Sequence, residues 1–336
     1  MSVTIRDVAK QLNLSIGAVS RALDGYPDIS EATRQRVTET ARAMGYVPNR
    51  TARQLRKQTT ETIGYILPAQ SPRFADPFYS EFIAGLGDEA ATQNYDLLIS
   101  TASPGEESEQ QLYQRWVSGR RVDGYILNRM RLLDWRVQYL AKMKVPFVAQ
   151  ERSRDDLDYP SVEVDGRAGM QMLVRHLVKK GHRRIAYIGA SSELSIQADR
   201  FAGYCQGLAE ANIPLDETLV FAGDLTRHGG QTAVKQLLLV VDPPSAVVCI
   251  NDLTAFGAMH EAALMGWIVG RELAVAGFDG LEESANTQPP LTTVNQPLYE
   301  IARQMVKTLL AEIHGEPGPE RRVLIQPELL VRMSTQ

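Results

Sequence analysis

Hydrophobic positions along the chain recur at helical spacing at first, then in short apolar runs alternating with longer amphipathic stretches. Ile5, Val8, Ala9 and Leu12 make one buried helical stripe. Asn13-Leu14-Ser15 is a turn, and Ile16 to Leu23 a second short helix with Val19 and Leu23 inward. Tyr26-Pro27-Asp28 is a loop, and a third helix runs from Glu31 to about Met44, inward at Val37, Ala41 and Met44. Thr4, Ser15 and Ser30 stand where a side-chain oxygen caps a helix start, Asp7 suits the first helix's positive end, and Gly45 ends the third helix. From Thr62 onward the pattern changes. Apolar runs such as Ile63 to Leu67, Val122 to Leu127, Arg184 to Gly189, Ala246 to Ile250 and Leu273 to Gly277 alternate with helical stretches. Runs of this kind are buried parallel strands, and the alternation predicts doubly wound α/β architecture. It starts twice, once before and once after about residue 162. A final segment recrosses with a strand at Thr292 to Asn295, a helix at Tyr299 to His314 and closing strands at Val323 to Val331.

Charge adds an asymmetry. Residues 1–60 carry a net +5 and the remainder −9, which makes the overall −4. A basic head on an acidic body fits a nucleic-acid-binding module joined to something that binds another class of partner. At 336 residues two or three domains are expected. No apolar run reaches the roughly 18 residues of a membrane helix, and the N-terminal stretch lacks a secretory h-region, so a cytoplasmic protein is expected. Cys205 and Cys249 form no metal spacing and read as buried free thiols; five scattered histidines give no ligand cluster, and no metal or cofactor is expected. No G-x-G-x-x-G follows a strand, and neither a P-loop nor G-x-S-x-G is present, so the chain reads as a non-enzyme.

The outward face of the second helix carries Ile16, Gly17, Ser20 and Arg21. Small, polar and basic side chains there let a backbone approach a major groove closely. T-I-R-D-V-A followed by S-I-G-A-V-S-R-A-L-D-G resembles the DNA-binding head of the LacI/GalR family of bacterial transcription regulators. The resemblance continues through K-K-G-H-R-R-I-A-Y-I-G at 179–189, I-N-D-L-T-A-F-G-A-M at 250–259, V-A-G-F-D-G at 275–280, P-P-L-T-T-V at 289–294 and P-E-L-L-V-R-M-S-T at 327–335. It implies a helix-turn-helix (lambda-repressor-like) three-helix head at 1–48, a hinge helix or linker at 49–61, and a periplasmic-binding-protein-like, two-subdomain α/β body at 62–336. The subdomains are expected at about 62–161 with 292–322, and 162–291 with 323–336, linked by three crossovers. Ile16, Gly17 and Arg21 are then base-reading candidates, while Thr4, Ser15 and Ser20 suit phosphates, which position without specifying. Asn49 belongs to the DNA-contacting set, Arg50, Arg53 and Lys57 would sit near phosphates, and Leu55 is the residue that would wedge into the minor groove. Read alone, that stretch is a solvated linker too short for a stable helix.

Open α/β sheets bind ligands beyond the carboxyl ends of their strands. Polar residues just past predicted strands, with Arg200 in the helix after one, supply planar hydrogen bonds suited to a saccharide. By resemblance, Glu151, Arg200, Asn251 and Asp279 are effector-binding candidates, with Phe78 a stacking wall and Leu225 standing where relatives that respond to sugars carry an aromatic. Asp and Asn after strands are also helix N-caps and turn formers, and Asp252 is read as the cap of the following helix. The expected function is a ligand-responsive regulator, a repressor of carbohydrate genes, binding a near-palindromic double-stranded operator as a homodimer with no C-terminal tetramerisation helix. A purine or another metabolite as co-repressor, and a stand-alone carbohydrate-binding protein, are the alternatives.

Overall fold

The computed structural model describes residues 3–47, 54, 59–67, 76–103, 105–154, 156–316 and 320–336, and the chain forms two compact units, Met1–Thr60 and Glu61–Gln336. Asn49, Arg50, Arg53, Leu55 and Lys57 lie outside the described residues.

The head holds three helices: α1 (Ile5–Leu12), α2 (Ile16–Leu23) and α3 (Glu31–Ala43). Each start is satisfied locally. Ser15 Oγ accepts from Ala18 N at 3.1 Å and Ser30 Oγ from Thr33 N at 3.3 Å, while the Asp7 carboxylate takes both the Thr4 N–H and the Thr4 hydroxyl. Those two bonds to Thr4 hold the Asp7 carboxyl below its usual range. Asn13 ends α1 in the left-handed region at φ 51°. Val8, Ala9, Val19, Ala22, Val37 and Ala41 form the small core, with Leu23 and Met44 only half-buried around it.

The body is built on two six-stranded sheets. Its strands are β1 (Thr62–Leu67), β2 (Asp96–Thr101), β3 (Gly124–Leu127), β4 (Phe147–Ala149), β5 (Ser161–Val164), β6 (Ile185–Ile188), β7 (Val220–Phe221), β8 (Ala246–Cys249), β9 (Ala274–Asp279), β10 (Thr292–Asn295), β11 (Arg322–Ile325) and β12 (Glu328–Leu330). The first sheet runs β11-β5-β4-β3-β1-β2 and the second β12-β10-β9-β8-β6-β7. All pairings are parallel except β10 with β12. The helices are α4 (Pro77–Thr92), α5 (Glu106–Ser118), α6 (Trp135–Met143), α7 (Gly166–Lys179), α8 (Ser195–Glu210), α9 (Arg227–Leu237), α10 (Asp252–Leu264) and α11 (Leu298–His314). Strands buried along their whole length, such as β3, β6, β8 and β9, are the continuous apolar runs of the sequence.

The expected subdomain boundaries need correcting. β5 pairs in parallel with β4 and β11, so residues 162–164 and 323–325 belong to the first sheet, whereas β10 lies beside β9 in the second. The chain therefore crosses after β5, after β10 and after β11. Parallel pairing is non-local, and nothing within a four-residue strand says which of two similar sheets it joins. Helix α8 starts at Ser195 without a local signal, because its N-cap, Leu194, offers no side-chain oxygen to mark it.

Candidate functional site

The head presents an exposed α2. Ile16 is 46% exposed, Gly17 meets nothing closer than Ser15 Oγ, and Arg21 is half-exposed and ion-paired with Asp28 at 2.7 Å. Thr4 and Ser15 are exposed as well; Ser20 is half-buried, its hydroxyl 3.5 Å from the Asp24 carboxylate. An apolar side chain open to water beside a glycine and an arginine gives this face a methyl probe, a close backbone approach and a five-donor cation.

In the body, Phe78, Glu151, Arg200, Asn251 and Asp279 surround one cavity between the two sheets, together with Asp76, Arg129, Gln150, Ile196, Leu225 and Gln296. Strand ends carry most of them there: Asp279 closes β9, Asn251 follows β8, Gln150 and Glu151 follow β4, Arg129 follows β3 and Gln296 follows β10.

Arg200 is the best-anchored group. Its guanidinium lies 3.7 Å over the Phe278 ring, donates to the Ile250 carbonyl and stands 3.6 Å from the Asp279 carboxylate. Asp279 in turn accepts from Gln296 Nε2 at 2.5 Å. Burial pushes the Asp279 carboxyl well up, with Arg200 opposing and the Asp252 charge adding to the rise. Asp279 also has φ 128° and Leu225 φ 68°, two non-glycine residues in strained backbone on the cavity wall. Across the cavity Asp76 binds Arg129 at 3.1 Å, and burial raises its carboxyl too. Glu151 differs. Its side chain is partly open to the cleft, yet Oε2 is enclosed and has no hydrogen-bond partner among the described residues. That enclosure, only partly offset by Arg200, raises the carboxyl to about 7. Phe78 stacks on Phe82 with centroids 5.8 Å apart and lines the cavity.

The helix cap expected at Asp252 is made by Asn251 instead. Asn251 is the N-cap of α10, its Oδ1 accepting from Thr254 N at 3.0 Å while Nδ2 donates to the Leu225 carbonyl at 3.1 Å. Asp252 caps nothing; fully buried, it accepts from Thr293 Oγ1 at 2.6 Å and Leu281 N at 2.8 Å and ties β10 to the loop after β9. Asp76, Arg129 and Gln296 are cavity residues the sequence reading did not single out. The strand-end rule reaches Arg129 and Gln296, and Asp76 carries the signature of a cap before Pro77 at the start of α4.

Main-chain bonds join the two halves of the body next to the cavity residues Arg129 and Ile196. Leu132 N donates to Glu193 O at 2.7 Å and Ser195 N to Met130 O at 2.9 Å, with Arg131 and Leu194 paired between them. One side of this clasp follows β3 in the first sheet and the other follows β6 in the second.

The chain is similar to known proteins over its whole length. Residues 4–49 match the family model "Bacterial regulatory proteins, lacI family", and residues 174–335 match "Periplasmic binding protein-like domain". It is 33% identical over 336 residues to the HTH-type transcriptional repressor CytR of Escherichia coli (strain K12), covering all of this chain and 97% of that protein. Among solved structures, a CelR–cellobiose complex aligns with a TM-score of 0.77 at 30% identity over 99% of both chains. A lac repressor dimer bound to operator and the anti-inducer ONPF aligns with a TM-score of 0.83 at 27% identity, covering 100% of this chain and 99% of that one. No helix among the described residues is long and apolar enough to cross a membrane. The relatives are transcription regulators, and this chain, with its helix-turn-helix head and two-subdomain body, belongs to the LacI family of bacterial regulatory proteins.

Proposed function

We propose that this DNA-binding regulator is a cytoplasmic repressor of carbohydrate genes that binds a near-palindromic operator as a homodimer and is controlled by a saccharide in the cleft. The observation that carries the saccharide is the set of planar polar groups around one cavity. Arg200, Asp279, Asn251 and Gln296 are locked to one another or to the main chain, and Glu151, whose enclosed Oε2 has no partner among the described residues, lines the same cavity. Fixed donors and acceptors against an apolar wall suit ring hydroxyls, because the polar groups keep their geometry whether or not ligand is present. The solved CelR complex holds cellobiose, which favours the same ligand class here. Leu225 supplies an apolar wall without an aromatic face, so among the described residues of the cavity wall stacking is left to Phe78.

Control follows from the clasp. A ligand that prefers the closed cleft biases the relation of the two sheets, and a coupling of about 1–3 kcal/mol between cleft and head is enough to switch occupancy. Arg50, Arg53 and Asn49 complete the DNA contacts, and Leu55 enters the minor groove when the hinge folds.

The test is fluorescence anisotropy of the full-length protein on its own upstream intergenic DNA at fixed salt, titrated with mono- and oligosaccharides and with purines. Release by one saccharide supports the reading. Tightening by a purine replaces the saccharide with a co-repressor and reverses the sign of control. A wild-type protein without specific binding refutes the assignment of the operator.

A further inference from the structure

The Arg21–Asp28 ion pair joins the last turn of α2 to the loop before α3. That loop has a fixed frame. Gly25 N donates to Ala22 O at 3.2 Å, Tyr26 N to Arg21 O at 3.0 Å and Ile29 N to Tyr26 O at 3.2 Å. Arg34 Nη2 closes it from α3 by donating to the Tyr26 carbonyl at 3.2 Å. Asp28 is thus held where it meets Arg21, and the pairing is not an accident of two free side chains.

Stability does not explain the pair. Both side chains are 50% exposed, and an exposed pair of this kind contributes little. A carboxylate beside the recognition helix of a basic head also has an electrostatic cost near a polyanion, since it repels phosphate. What the pair supplies is orientation. An arginine side chain has many rotamers, and one already held by a partner loses less freedom when it meets a base. Donating Nη1 to Asp28 leaves the rest of the five-donor fork for a guanine edge.

We propose that Asp28 is a positioning residue that holds the Arg21 guanidinium in one orientation for base readout and, by its charge, lowers the head's sequence-independent attraction to DNA. The proposal rests on α2 being the recognition helix. Asp28 sets how sharply Arg21 discriminates, whereas Arg21 makes the contact.

The experiment uses full-length protein and two probes: a duplex selected from a randomised library by the wild type, and a random-sequence duplex. Arg21→Ala defines the base step that Arg21 reads, as the position where discrimination disappears. Asp28→Asn is expected to bind the random duplex more tightly, with a salt slope steeper by about one, and to lose about fivefold or more of the discrimination at that step. Asp28→Glu is expected to restore part of the discrimination, and Arg21→Ala with Asp28→Asn to match Arg21→Ala alone. Thermal melts of the variants should coincide with the wild type, separating orientation from folding. Unchanged discrimination in Asp28→Asn, or additive losses in the double variant, overturns the proposal while leaving the regulator intact. A wild type that selects no sequence from the library overturns the recognition-helix reading itself.

Discussion

Glu151→Gln isolates the cost of keeping a carboxylate in the cleft. Enclosure of the carboxyl raises it from 4.5 to about 7, and Oε2 has no partner to compensate. At about 1.4 kcal/mol per pKa unit that gap corresponds to roughly 3 kcal/mol, and solvent reaching the partly open side chain reduces it to about 1–2 kcal/mol. The sign follows from proton counting. Between about pH 4.5 and 7 the folded state holds this proton and the unfolded chain has lost it, so stability falls as pH rises and levels off above about 7. Glutamine has the same shape and no charge at any pH, so it escapes that loss. The expected result is a Tm about 2–4 °C higher than wild type at about pH 8, shrinking toward zero at about pH 4.5. Asp252 and Asp279, whose carboxyls burial also raises, titrate in both proteins and largely cancel in the difference. Differential scanning calorimetry of both proteins at the two pH values measures it. A Tm gain independent of pH, or a loss at pH 8, would refute the account of Glu151 as an enclosed carboxylate.

Ser195 is the first residue of α8, and its N–H is spent on the Met130 carbonyl across the cleft. Ser195→Pro fits the helix start and the extended Leu194 before it (φ −85°, ψ 136°), yet puts a ring carbon where that hydrogen points, so the clasp must open. We expect calorimetric affinity for the operator-releasing saccharide to fall about fivefold or more, with ligand-free operator affinity kept; an unchanged saccharide Kd would remove the clasp from the mechanism. Leu55→Ala is expected to weaken specific operator binding far more than saccharide binding, measured by anisotropy and calorimetry on the same preparation. Equal losses in both would sink the minor-groove role of Leu55.

Much of the fold was legible because its signals are local. Val8, Ala9 and Val19 declare the head's core by spacing alone, and β3, β6, β8 and β9 declare themselves as apolar runs between helices. Sheet membership was not legible. β11 alternates exposed and half-buried positions as an edge strand does, but the strand it pairs with, β5, lies more than 150 residues earlier. The start of α8 is illegible for the opposite reason, a missing local signal at Leu194.

The cleft shows where residue type stops being informative. Asn251 and Asp252 are adjacent and both suit a cap; what decides between them is that Asn251 has the extended backbone of a cap (φ −149°, ψ 170°) while Asp252 is already helical. Having become the cap, Asn251 does two things at once. Its Oδ1 fixes the start of α10, and its Nδ2 holds the carbonyl of Leu225, whose own backbone sits in the left-handed region on the cavity wall. The bond that caps the helix and the bond to Leu225 together fix the amide and its strained neighbour on the cavity wall. The clasp lies at the far limit of legibility. Its bonds are made by main-chain atoms of Met130, Leu132, Glu193 and Ser195, so no side chain in the sequence announces it, and only the approach of the two sheets brings it into being.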